Sequence, residues 1–209
     1  MATHVYIDGF NLYYGCVKHT KYRWLDLAAL CARLLPKDDI QMIRYFTAPI
    51  SARSYDPDGP VRQQTYLRAL RTLPKLEIHL GSFLVKPTTM PLETPPSTGS
   101  RMVRVIKSEE KGSDVALASH LLIDAMRKRC QTAVVISNDS DLTEAVRLAR
   151  YELGVTVGVI NPHPPQKRSR ELSQHAHFFK QIRPNAIRDG QFPDELTDAH
   201  GTFRRPKEW

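Results

Sequence analysis

Short apolar runs alternate with segments of helical period along most of the chain. Val5-Tyr6-Ile7 reads as a strand that ends in Asp8-Gly9. Leu and Ala at helical spacing predict a helix over 25–35, stopped by Pro36. IQMIRYF at 40–46 reads as the next strand, and a helix over 60–73 follows, with Pro60 in its first turn and Pro74 closing it. Residues 76–85 read as a further strand. The stretch 86–100 holds four prolines and neither period, which predicts a loop insertion. A linker is disfavoured because the alternation resumes beyond it, with a short strand at 101–106. The helix over 113–128 places Leu117, Ala118, Leu121 and Ala125 on one stripe. Ala133 to Ile136 and Val155 to Ile160 are continuous apolar runs, as strands buried on both faces require. Between them a helix over 141–153 turns Leu142, Ala145, Val146, Ala149 and Leu153 inward.

Strands alternating with helices predict an α/β fold, three layers α/β/α with a mainly parallel central sheet and right-handed crossovers. At roughly 100–200 residues per domain, 209 residues make one compact domain. We assign 1–182 to it, with 86–100 as the inserted loop, and 183–209 to a polar C-terminal extension. That extension is proline-punctuated and carries five basic and five acidic residues.

Apolar content of 41% with 25% charged residues excludes a disordered chain. No run approaches the ~18 apolar residues of a membrane span, and the N-terminus lacks the pattern of a secretory signal. Cys16, Cys31 and Cys130 are odd in number and far apart, which disfavours a disulfide framework and points to the cytoplasm. The net charge of +8 fits a polyanionic partner such as nucleic acid. Its distribution supports that partner: Arg62, Arg68, Arg71 and Lys75 lie in an acid-free stretch at 60–75, and 167–170 reads KRSR.

Parallel α/β sheets bind ligands beyond the carboxyl ends of their strands. Asp8 follows the first strand, Asp139 and Asp141 follow Ala133 to Ile136, and Asp114 opens the 113–128 helix. Helix capping explains one acid per helix start. It does not explain Asp8, nor several acids aimed at one sheet edge. Clustered carboxylates repel one another and would repel a phosphate, and a hard divalent cation resolves both conflicts. No Gly-rich phosphate loop is present, and the histidines form no catalytic constellation.

YIDGFNLYYG at 6–15, EEKGSDVALASHLLIDA at 109–125 and VVISNDSDL at 134–142 resemble, in order and spacing, the three blocks of the NYN domain family. The resemblance spans about 3–182 and implies a PIN-like nuclease fold. It also implies a metal-dependent endoribonuclease using Mg²⁺ or Mn²⁺. Asp8, Asp114, Asp139 and Asp141 match the family's acids, Asn11 the asparagine one turn after the first acid, and Ser137 the hydroxyl before the final pair. Asn11 and Ser137 are expected to orient a metal-bound water or a phosphate oxygen. Lys111, Arg62, Arg68 and Arg71 are expected to contact RNA phosphates. Asn138 departs from the family's usual Gly, and His120 stands where many relatives carry another acid. Asp124, one turn on, reads as a solvated or structural residue.

Two rivals stand beside this reading. One is a non-catalytic PIN-like module that holds RNA or a protein. The other is a metal-dependent enzyme for a small phosphorylated or carboxylated substrate. RNA is the expected partner, DNA stays open, and no membrane is expected. The oligomeric state stays open too, a homodimer included.

Overall fold

The computed structural model of the protein describes residues 2–209. Its strands are β1 (Ala2–Asp8), β2 (Asp39–Thr47), β3 (Leu76–Leu80), β4 (Ser82–Pro91), β5 (Met102–Lys111), β6 (Thr132–Ile136), β7 (Thr156–Asn161), β8 (Phe178–Gln181), β9 (Glu195–Asp198) and β10 (Gly201–Arg204). Its α-helices are α1 (Gly9–Leu12), α2 (Leu27–Leu34), α3 (Gly59–Leu70), α4 (Ser113–Met126), α5 (Thr143–Tyr151), α6 (Arg170–Gln174) and α7 (Pro184–Arg188).

Six strands form the central sheet in the order β3-β2-β1-β6-β7-β8, and every adjacent pair is parallel. The apolar runs of β1, β6 and β7 are buried on both faces because helices cover both. Val5, Ile7, Ile43, Val134 and Ile136 pack with residues of α2, α3 and α7. Tyr6, Phe46, Ala133, Val135 and Val157 pack with α4, α5 and α6 on the other side. The three-layer α/β/α architecture is therefore the one the alternation predicts. The chain winds outward from β1 through β2 and β3, then returns to build β6, β7 and β8 on β1's other side. That reversal opens a crevice beyond the carboxyl ends of β1 and β6.

Two segments differ from the sequence reading. Residues 76–85 are not one strand: β3 ends at Leu80, and β4 leaves the sheet to pair with β5 as an antiparallel two-stranded arm, from Ser82↔Lys111 to Pro91↔Met102. Much of the supposed 86–100 loop is thus strand, and only 92–101 turns. In a two-stranded ribbon alternate residues point their N–H outward. Pro87 and Pro91, an even number of positions apart, therefore both fit without removing a ladder bond.

The polar 183–209 extension folds back onto the domain. Phe192, Phe203 and Trp209 gather around buried Trp24, whose Nε1 donates to the Pro193 carbonyl at 2.7 Å. A few aromatic side chains bury enough area to dock an otherwise polar segment. Among the described residues, no helix is long and apolar enough to cross a membrane.

Candidate metal centre

Asp8 is the last residue of β1 and, against the expectation that capping plays no part there, it also caps α1, accepting the Asn11 N–H at 2.9 Å. Its other oxygen accepts the Ser137 hydroxyl at 2.9 Å. The register Ile7↔Ile136 makes Asp8 and Ser137 the next residues beyond a paired position on β1 and β6. The Ser137 oxygen also accepts the Asp139 N–H at 3.1 Å, so one buried hydroxyl ties both acid segments together. Asp139 caps the short 3₁₀ turn Ser140–Leu142 by accepting the Asp141 N–H at 3.0 Å. Asp114 arrives from the other side, in the first turn of α4. Gly112, at φ 99°, adopts the left-handed backbone that turns the chain from β5 into that helix. Glu110 completes the corner by accepting the Ser113 N–H at 3.2 Å and its hydroxyl at 2.8 Å.

Asp8, Asp114 and Asp139 each present an oxygen within 4.8 Å of the others. Asp141 is exposed and stands outside this group, though its charge still acts on Asp114. Burial pushes the Asp8 carboxyl up to about 6 against its two hydrogen bonds, and the charges of Asp114 and Asp139 add to the rise. Asp114 is raised too, by burial first and then by Asp139, Glu110 and Asp141. An all-oxygen donor set in which burial and neighbouring charge raise Asp8 and Asp114 fits a hard divalent cation, whose charge favours their ionised forms.

The Asn11 side-chain Oδ1 accepts the Asn138 N–H at 2.9 Å, which pins the β6–α5 loop to α1. Asn11 and Ser137 therefore orient the acids and their loop. Asn138, the departure from the family's Gly, has work of its own. Its amide donates to the Lys167 carbonyl at 2.6 Å and accepts the Ser169 N–H at 2.8 Å. That latch holds the KRSR segment beside the acids. Lys167, Arg168 and Arg170 are exposed, and none has a carboxylate partner among the described residues.

The other expected phosphate contacts are mostly occupied within the chain. Arg62 pairs with Asp56 and, at 2.6 Å, with Glu208. Arg68 forks onto Asp198 with two 2.7 Å hydrogen bonds and lies over the Phe203 ring. Lys111 pairs with Glu109 at 3.3 Å. Arg71 is exposed and has no carboxylate partner among the described residues. His120 does not join the cluster; its ring lies 4.1 Å from that of His79. Asp124 is fully buried, hydrogen-bonded by His4, Tyr6, Arg44 and Arg129 at 3.0–3.2 Å, and so is structural.

Sequence reasoning missed a cavity of about 550 Å³ that begins at Gly9, next to Asp8. Its walls come from α1, the single π-helical turn Tyr13–Val17, the start of α3 and the base of the β4–β5 arm. The adjacent tyrosines Tyr13 and Tyr14, just after the first acid, were the one local signal for it.

The NYN domain model matches residues 2–182. Among curated proteins, 6-hydroxy-3-succinoylpyridine 3-monooxygenase HspA of Pseudomonas putida is 31% identical over 236 aligned positions, covering all of this chain and 75% of that protein. Among solved structures, a protein of unknown function from Vibrio parahaemolyticus matches with a TM-score of 0.56 at 17% identity. That match covers 87% of this chain and 93% of the other, a likeness of fold alone. With the family model spanning the sheet, both helical layers and all the clustered acids, the chain belongs to the NYN domain family.

Proposed function

We propose that the protein is a metal-dependent endoribonuclease that hydrolyses RNA phosphodiester bonds at Asp8, Asp114 and Asp139, with Mg²⁺ or Mn²⁺ as cofactor. One observation carries the reading: three carboxylates from three separate segments meet within 4.8 Å at the crevice of a parallel sheet. Membership of the NYN family supports it. A bound cation would supply charge neutralisation at a phosphate and an activated water. Asp8 and Asp139 would hold it, with Asp114 and exposed Asp141 completing the negative shell. Ser137 and Asn11 keep Asp8 and the Asp139 loop in place. Lys167, Arg168 and Arg170, latched by Asn138, would hold the RNA backbone through its phosphates. The three cysteines are unpaired, in keeping with a cytoplasmic setting.

The test is cleavage of mixed single-stranded and structured RNAs with EDTA, Mg²⁺ or Mn²⁺, by wild type, Asp8→Asn and Asp139→Asn. The reading expects cation-dependent cleavage, lost in both variants, with RNA binding largely kept. Equal cleavage by variants and wild type from matched preparations would overturn it.

A second reading has one observation in its favour. The Pseudomonas relative is named for oxygenating a pyridine that carries a succinoyl acid, and here a cavity of about 550 Å³ adjoins Asp8. On that reading the same edge serves a small carboxylated substrate. Cation binding by the wild type with every RNA left intact would favour it.

A further inference from the structure

We infer that the cavity beside Asp8 binds a flat aromatic ring bearing an anionic group, held by ring stacking at its walls and by guanidinium groups at its mouth. At about 550 Å³ it lies within the ordinary range for small-ligand sites. Phe10, Tyr14, Tyr55, Phe83 and Trp209 all line it. Several of its apolar walls are open to solvent: Tyr55 is 80% exposed, Tyr14 56%, Val85 51% and Ile106 77%. Large exposed apolar side chains converging on one concavity mark a surface that something covers.

The charge of the lining names the rest of the ligand. Lys18, Arg23, Arg53 and Arg62 line the cavity, against Asp56 as the one acid. Arg62 is taken by Asp56 and Glu208. Arg23 donates its Nε to the Lys18 carbonyl at 3.1 Å, which leaves its terminal nitrogens for another acceptor. Arg53 has no side-chain hydrogen bond or ion pair among the described residues; only its backbone is engaged, with Asp56. A planar guanidinium without a partner, beside aromatic walls, suits a carboxylate or phosphate attached to a ring.

Two sources supply this chemistry: a nucleotide of an RNA strand, with its base unstacked into the cavity, or a free aromatic acid. The inference rests on the cavity lining and stands apart from what the acid cluster does.

The test is calorimetric titration of the full chain, in EDTA and without RNA, with four probes. Adenosine 5′-monophosphate and benzoate carry ring and anion; adenosine and ribose 5-phosphate carry one half each. A ring-anion probe is expected to bind about tenfold or more tighter than its halves, the margin of roughly one charge-assisted hydrogen bond. Arg53→Gln and Tyr55→Ala, both at exposed positions, should each weaken it by a similar factor with melting temperature unchanged. Tighter binding of the nucleotide identifies the RNA source, and tighter binding of benzoate the free acid. If neither binds, or if both variants bind like wild type, the inference is overturned. Loss of RNA cleavage would leave this result untouched.

Discussion

Asp8 uses one oxygen for the Asn11 N–H and the other for the Ser137 hydroxyl, yet burial still holds its carboxyl near 6. A folded-state value above the unfolded one means the folded protein binds more protons. Asp8 therefore contributes stability that is full below about 3.8, its ordinary value, and lost as pH rises through about 6. Two pH units of difference set an upper bound of about 3 kcal/mol. In EDTA, Asp8→Asn should gain stability relative to wild type between pH 4 and pH 7, and the margin should close when Mn²⁺ is added to wild type. Denaturant melts of both proteins at the two pH values check this. A margin that stays constant with pH would contradict it.

Asn138 gives the second residue-scale prediction. Asn138→Gly restores the family's commoner residue but removes two hydrogen bonds to the 167–169 backbone. At about 1 kcal/mol per bond, the variant should be slightly less stable and its KRSR segment freer. Trypsin should then cut after Lys167 and Arg168 faster than in wild type, while cation binding is kept. An unchanged cleavage rate would show that other interactions hold the segment.

At the scale of elements, the paired arginines of α3 separate two roles that sequence alone runs together. Arg62 and Arg68 stand in an acid-free stretch, so their carboxylate partners, Asp56, Asp198 and Glu208, could not be read locally. Asp198 and Glu208 lie far along the chain from α3, in the C-terminal segment. Arg68→Ala should lower the melting temperature by freeing the β9–β10 hairpin, with RNA affinity unchanged. Neutralising Lys167, Arg168 and Arg170 should do the reverse, reducing the log–log salt slope of RNA binding by roughly 0.7 for each phosphate that the protein no longer neutralises. Weaker RNA binding by Arg68→Ala at unchanged melting would restore Arg68 as a phosphate ligand.

The same contrast explains which elements were legible. β1, β6 and β7 announce themselves because strands buried on both faces must be continuously apolar. Asp8, Asp114 and Asp139 were legible because each sits at a strand end or helix start within a compact motif. The β4–β5 arm was not, since its apolar residues are exposed and its prolines mimic a loop. The docked C-terminal segment was hidden for another reason: Phe192, Phe203 and Trp209 meet Trp24 only in the fold. The aromatic cavity draws its walls from segments scattered between Gly9 and Trp209, so beyond the adjacent Tyr13 and Tyr14 no local pattern encodes it.

At the scale of the whole molecule, the winding of the sheet places the acids. Because the chain reverses direction across the sheet between β1 and β6, the ends of those two strands face an open crevice. Asp8 and Asp139 meet there, and the β5–α4 corner brings Asp114 to them. A chain with 30 basic and 22 acidic residues thus gathers three carboxylates at one point of the sheet edge.

Under the proposed function, Asp8, Asp114 and Asp139 hold a divalent cation. Calorimetric titration of Mn²⁺ into wild type and Asp139→Asn at pH 7.5, each shown folded by its melting curve, tests it directly. Saturable binding by wild type is expected, with an affinity at least about tenfold weaker in the variant, as when a ligand or its support is removed. Equal affinity and stoichiometry in the two proteins, or no binding by folded wild type, would contradict it.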